Sequence, residues 1–247
     1  MLMNPASTFS FDEPHGFNFL SWSFLICLWV DACRKPIPWS GWKGCGKYIL
    51  CMVIVLLLPV LLFRQFVIQA NEISSDSMSP TLLGGVADAQ GNVIGGDHIF
   101  VNKLAYNRSE PARGDVVLFR TTDGMGPLVK TGTVFVKRVV GLPGETISID
   151  PPSVLVDGVV LDAPGIFYGM TQGTEGYEGY TLAHAIDGAC LVSAHDSVSL
   201  ADDEYLLLGD NSRKSLDGRY FGPVSRENIL GKVIYIFAPA DRKKWMP

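Results

Sequence analysis

The sequence predicts a mostly β, antiparallel domain lying outside the cytoplasm, behind an N-terminal transmembrane helix. Three observations lead there. Apolar residues make up 47% of the chain, and the excess sits at the front, where residues 48–63 (YILCMVIVLLLPVLLF) run without a charge. Beyond residue 70, short β-branched or alternating runs are separated by turn signals, with little helical periodicity. Basic residues crowd the N-terminal side of the apolar run, the pattern of a cytoplasmic flank.

At 247 residues the chain has room for one domain and a membrane segment. Residues 1–47 read as a cytoplasmic or membrane-associated region. Within it, residues 17–30 (FNFLSWSFLICLWV) form a candidate first membrane segment. At ~1.5 Å per residue it extends ~21 Å, short of the ~30 Å hydrocarbon core, so its length favours an interfacial or re-entrant helix while its flanking charges suit a span. Residues 34–47 (RKPIPWSGWKGCGK) follow as a basic membrane-surface loop.

The transmembrane helix is expected over 48–70, ~34 Å if Arg64 snorkels, with Pro59 tolerated inside it. Arg34, Lys35, Lys43 and Lys47 precede it and Arg64 alone follows closely. The positive-inside rule then puts everything after Ala70 outside the cytoplasm. The run is long and distant from residue 1, and Ile68 stands where a cleavage site needs a small residue, so it reads as an uncleaved anchor.

The remaining residues, 71–247, form the expected β domain. Strands are predicted at 98–103, 115–120, 133–140, 146–149, 154–156, 159–161, 204–208 and 232–237. Asp157-Gly158 suits the positive φ angles of a type I′ turn and predicts a hairpin over 154–161. Pro143-Gly144 marks another turn. Residues 165–203, rich in Gly and Tyr and weakly patterned, look like an insertion or subdomain.

This domain carries 15 Lys+Arg against 22 Asp+Glu. An acidic surface without a basic stripe excludes nucleic acid as a partner. Cys27, Cys33, Cys45 and Cys51 lie in the first 51 residues and Cys190 alone lies beyond. Their spacing fits neither a zinc nor a redox motif, and no metal or cofactor is expected.

Chemistry concentrates at residues 73–82, ISSDSMSPTL. Ser77 offers a hydroxyl, Ser75 a second one two residues back, and Pro80 a rigid φ. A serine needs a base to take its proton. The period-two rule sets Phe135, Lys137 and Val139 on one face of the 133–140 strand. A lysine among apolar neighbours loses hydration in its charged form, its pKa falls, and it becomes a usable general base. The strand pattern alone leaves a solvated face for Lys137 open. Residues 209–222 (GDNSRKSLDGRYFG) pack hydroxyls, charges and glycines more densely than a surface loop needs, with Asp217 and Arg219 able to pair across a turn.

Together these blocks resemble type I signal peptidase, the bacterial leader peptidase family of membrane-bound serine proteases. The resemblance rests on Arg64-Gln65-Phe66 leading into 73–82, on RGDVVLF at 113–119, on FVKRVVGLPGE at 135–145, and on Gly209-Asp210-Asn211 followed by Ser215, Asp217, Arg219 and Gly222. It implies coiled, partly barrel-like sheets and an endopeptidase that removes signal peptides after small residues at −1 and −3. It further implies a Ser77–Lys137 catalytic dyad, Ser75 in the oxyanion hole, Ser215 orienting the lysine, and Asp217, Arg219, Asp210 and Asn211 structuring the site. The implied partners are preprotein signal peptides and the lipid bilayer, with the secretion translocon a candidate neighbour. The implied location is the plasma (inner) membrane, catalytic domain outward.

The chain departs from the family pattern at Ser74, where proline is usual, at Ser212-Arg213-Lys214, and at Gly218. Lys214, if near Lys137, would lower its pKa further. Three other readings stand beside this one: a specialised relative that matures one pilus or conjugation precursor, a tethered β-domain that binds peptides without cutting them, and a hydrolase built on His184 or His195.

Overall fold

In β5 (Val116–Arg120, VVLFR) four consecutive residues are buried. Val117 and Phe119 enter one apolar cluster, Val116 and Leu118 another, because successive side chains of a strand point to opposite faces. A strand with a core on each side shows no polar alternation, which is why 115–120 reads as a continuous apolar run.

The computed structural model describes residues 46, 49–50, 52–58, 60–61, 67–87 and 93–246. The chain divides into two compact units, one holding Ile68–Pro247 and the other Ser10–Val67. In the second, described residues between 49 and 61 are helical, and Leu56, Leu57, Val60 and Leu61 are exposed. No helix of the described residues is long and apolar enough to cross a membrane. Residues 48, 51, 59 and 62–66 of the 48–70 run, and all of 17–30, lie outside the described residues.

The unit beginning at Ile68 is built on an antiparallel sheet. Its strand order is β1 (Ile68–Glu72), β4 (His98–Asn102), β13 (Ile229–Ala238), β5, β6 (Val134–Gly141), β11 (Glu204–Leu208) and β12 (Val224–Ser225), with β14 (Lys244–Trp245) also on β13. The register of β13 shifts twice against β4 and once against β5, and that of β11 shifts against β6. Such bulges bend a strand and increase its twist, curling the sheet. A second sheet runs β10 (Ser197–Ser199), β7 (Thr146–Asp150), β8 (Ser153–Val156), β9 (Val159–Val160), and β2 (Val86–Ala87) pairs with β3 (Val93–Ile94). The β8–β9 turn has Asp157 at φ 51° and Gly158 at φ 80°, the backbone expected of that dipeptide.

One expectation is corrected. Ile68–Ala70, which hydropathy assigns to the end of the membrane helix, belong to β1 and pair with Phe100–Asn102. Apolar residues satisfy either structure, and β4 provides the partner that decides it. Residues 165–203, expected as an insertion or subdomain, carry structure of their own. They contain α1 (Gly165–Gln172) and β10, and Phe167, Met170, Tyr177, Tyr180 and Leu191 join Ile147, Ile149 and Val154 in one core.

Candidate active site

Ser77 sits in a single 3-10 turn, Asp76–Met78, whose flanking residues Ser75 and Ser79 are extended. Met78, 1% exposed, and Leu82, fully buried, join the core cluster that includes Val116 and Leu118. These two apolar anchors hold the turn against the sheet, with Ser77 immediately before the first of them. The turn packs on β6.

From β6, Lys137 reaches Ser77: Nζ lies 2.7 Å from Oγ. Nζ also donates to the Val136 carbonyl at 3.0 Å and stands 5.5 Å from the centre of the Phe135 ring. Lys137 is only 4% exposed, so the solvated strand face is ruled out. Burial lowers its pKa from 10.5 to about 8; the charges of Asp217 and Asp210 act against that fall and Arg219 adds to it. Lys214 is not among these influences. It makes an exposed pair with Asp76 at 3.4 Å.

Ser75 Oγ lies 3.2 Å from Ser77 Oγ, which brings the second hydroxyl to the same spot. Ser215 is 3% exposed, and its Oγ has no hydrogen-bond partner; it stands beside the site with its hydroxyl uncommitted. Gly209 explains how the two loops fit. A Cβ there would lie 2.0 Å from Ser215 Oγ and 2.6 Å from the Ser77 carbonyl oxygen, so only glycine allows this approach. Asn211 closes the same junction, its N–H donating to the Ser77 carbonyl at 3.0 Å.

Two buried ion pairs hold the 209–222 loop. Asp217, fully buried, takes Arg219 Nε at 2.8 Å and the Gly209 N–H at 2.9 Å, and it caps α2 (Gly218–Phe221) through the Arg219 N–H. Arg219 donates onward to the carbonyls of Ser212 at 2.6 Å and Ser215 at 3.1 Å. Asp210 takes Arg138 Nε at 2.8 Å, and Thr81 donates to its other oxygen. Arg138 also donates to the Gly114 carbonyl at 2.6 Å. In so buried a place, these pairs fix geometry more than they add stability.

Sequence reasoning missed Arg138, Thr81 and Gly209, although each lies inside a block that it singled out. It also missed Asp97 and Arg242. Asp97, fully buried, binds the Leu83 N–H at 2.8 Å and Arg242 Nε at 2.7 Å, fastening the chain just beyond Thr81. His184 and His195 are exposed and make none of the contacts described for Ser77 and Lys137. Among the described residues no cluster of His, Cys, Asp or Glu has metal-site geometry.

Comparison with known proteins gives one family. Residues 45–238 match the family model described as Signal peptidase, peptidase S26. The chain is 32% identical over 209 residues to the probable signal peptidase I-2 of Synechocystis sp., covering 85% of this chain and 79% of that protein. It is 33% identical over 180 residues to signal peptidase I of Leptolyngbya laminosa, covering 72% and 73%. A signal peptidase I crystal structure from Enterococcus faecalis is 26% identical and covers 50% of this chain and 97% of that one, with a TM-score of 0.36, too low to bear on the fold.

Proposed function

The chain belongs to the signal peptidase family, peptidase S26, and from that premise we propose that it removes signal peptides from exported preproteins by a Ser77–Lys137 mechanism. The observation that carries this reading is the 2.7 Å approach of Lys137 Nζ to Ser77 Oγ by a lysine whose pKa burial has lowered to about 8.

In this mechanism neutral Lys137 accepts the Ser77 proton as Oγ attacks the scissile carbonyl. The Ser77 N–H and the Ser75 hydroxyl stabilise the oxyanion, and losing one such donor typically lowers the rate ~10²–10³-fold. The Lys137 ammonium then protonates the leaving amine, and the neutral amine activates the water that releases the acyl group. Ser215, with its hydroxyl free, orients the ammonium in this cycle. Asp217 and Arg219, Asp210 and Asn211 hold the loop around it.

The substrate's extended segment adds as a strand near residues 73–77, with small side chains at −1 and −3. The domain division is 1–47, a membrane anchor within 48–67 and a catalytic domain from Ile68 onward, and its placement is the plasma membrane with the catalytic domain outward. The apolar run with Arg34, Lys35, Lys43 and Lys47 before it supports that placement.

The test is cleavage, in detergent, of a preprotein carrying Ala at −1 and −3. A cut immediately after −1, lost when Phe replaces either Ala, is expected. A cut indifferent to those residues contradicts the substrate class, and binding without cleavage would favour the peptide-binding domain.

A further inference from the structure

The 165–203 segment comes back to the site at residues 176–181. Gly176 packs against Pro80, where an added Cβ would lie 3.7 Å from the proline Cβ. The next side chain puts its hydroxyl on the nucleophile's own loop: Tyr177 OH lies 2.8 Å from Thr81 Oγ1, both buried. The direction of this bond follows from the proton count. A threonine hydroxyl has one proton, and that of Thr81 goes to the Asp210 carboxylate. Thr81 Oγ1 is therefore an acceptor toward Tyr177, as it is toward Arg138 at 3.2 Å. Burial raises the Tyr177 pKa and keeps it a donor.

Four residues on, the same segment reaches the other loop. The Thr181 N–H donates to Ser212 Oγ at 2.8 Å, and the Thr181 carbonyl accepts from Arg219 at 2.8 Å. Between the two ends, Tyr180 is 3% exposed and its N–H donates to the Pro152 carbonyl at 2.9 Å. The segment is thus anchored in the core below the second sheet and bonded to both loops that form the site.

We propose that residues 177–181 are a positioning strap for the active site, in which the Tyr177 hydroxyl, through Thr81 and Asp210, holds the loop bearing Ser77 in register with Lys137. The inference rests on the Ser77–Lys137 reading. The ring of Tyr177 fills the core and its hydroxyl sets the strap, so the two roles separate chemically. Tyr177→Phe keeps the ring and removes the donor. Small displacements at a catalytic centre lower rates steeply, ~10²-fold for about 1 Å, and loss of one indirect support is expected to lower kcat about tenfold.

The experiment measures kcat, KM and thermal midpoint for Tyr177→Phe, Thr81→Val, Thr81→Ser and the double variant Tyr177→Phe/Thr81→Val, at a temperature where all are folded, with Lys137→Ala alongside. The strap predicts a lower kcat with KM within about twofold for Tyr177→Phe, recovery in Thr81→Ser of most activity lost in Thr81→Val, and a double variant no worse than Thr81→Val alone, because the two hydroxyls act in series. Wild-type kcat in Tyr177→Phe overturns it, and so does a raised KM alone, which would put Tyr177 on the substrate. A loss fully explained by a smaller folded fraction also overturns it. Cleavage by Lys137→Ala would instead overturn the dyad, whatever the Tyr177 variants show.

Discussion

Lys137 Nζ stands 2.7 Å from Ser77 Oγ across sixty positions of sequence. The contact exists because Met78 and Leu82 seat the Ser77 turn in the core while β6 delivers the lysine from beneath. Burial decides the chemistry of the pair. With a pKa of about 8, roughly a tenth of Lys137 is neutral at pH 7, against well under a thousandth for an ordinary lysine.

Activity should follow that titration. We expect kcat/KM to rise with pH through about 8 and level off above it, as neutral Lys137 accumulates. Asp217 and Asp210 favour the charged form, so Asp217→Asn should move the limb to lower pH per folded molecule, while also lowering stability by roughly 3–5 kcal/mol by stranding buried Arg219. A pH–rate profile of the two proteins checks this. A limb near 6.5 that Asp217→Asn leaves in place would point to a histidine.

The buried Lys137 charge also weakens the fold. The fall from 10.5 to about 8 corresponds to about 3 kcal/mol of unfavourable charge burial, of which the two hydrogen bonds lost on substitution offset about 1–2 kcal/mol. Lys137→Met should therefore be more stable than wild type at pH 7. Between pH 8 and 10.5 the unfolded chain retains the proton that folded Lys137 has shed, so wild-type stability rises with pH and the advantage of Met shrinks. Denaturant unfolding at pH 7 and pH 10 reads both effects, and an advantage that grows with pH contradicts the assignment.

Gly209→Ala should be among the most damaging substitutions outside the dyad. The added methyl meets the Ser215 side chain and the Ser77 carbonyl, and either shift disturbs the junction between the loops. A loss of at least 10²-fold in kcat is expected, on the scale of a displacement of about 1 Å. Ordinary activity in this variant would show that the close approach is not needed for catalysis.

Ser215→Ala separates function from stability. The Ser215 hydroxyl is buried without a partner, and removing an unsatisfied polar group is neutral or stabilising. The thermal midpoint should stay or rise while kcat falls, provided that the hydroxyl orients Lys137 during turnover. A lower midpoint with unchanged kcat would reverse that assignment.

Much of this architecture is legible in the sequence. The patterns at 98–103, 115–120 and 204–208 match β4, β5 and β11 to within a residue, because short apolar runs between turn residues have few other structures open to them. Strand β1 is hidden because Ile68–Ala70 continue an apolar run whose pairing with β4 is a long-range fact. The segment 165–203 shows little because its core residues Phe167, Tyr177, Tyr180 and Leu191 are too widely spaced for any period. Ser77 and Lys137 lie in local blocks that carry the family resemblance, which is what pairs them, whereas Arg138–Asp210 and Asp97–Arg242 join positions 72 and 145 residues apart, and nothing local marks the partner. The burial of Lys137, which decides whether it is a base, likewise belongs to the packing.

The central claim is tested most directly by cleavage of a presequence substrate in detergent by wild type, Ser77→Ala, Lys137→Ala and His195→Ala. The account predicts no product from Ser77→Ala or Lys137→Ala and wild-type product from His195→Ala. Product from Lys137→Ala, or its loss in His195→Ala, would contradict it.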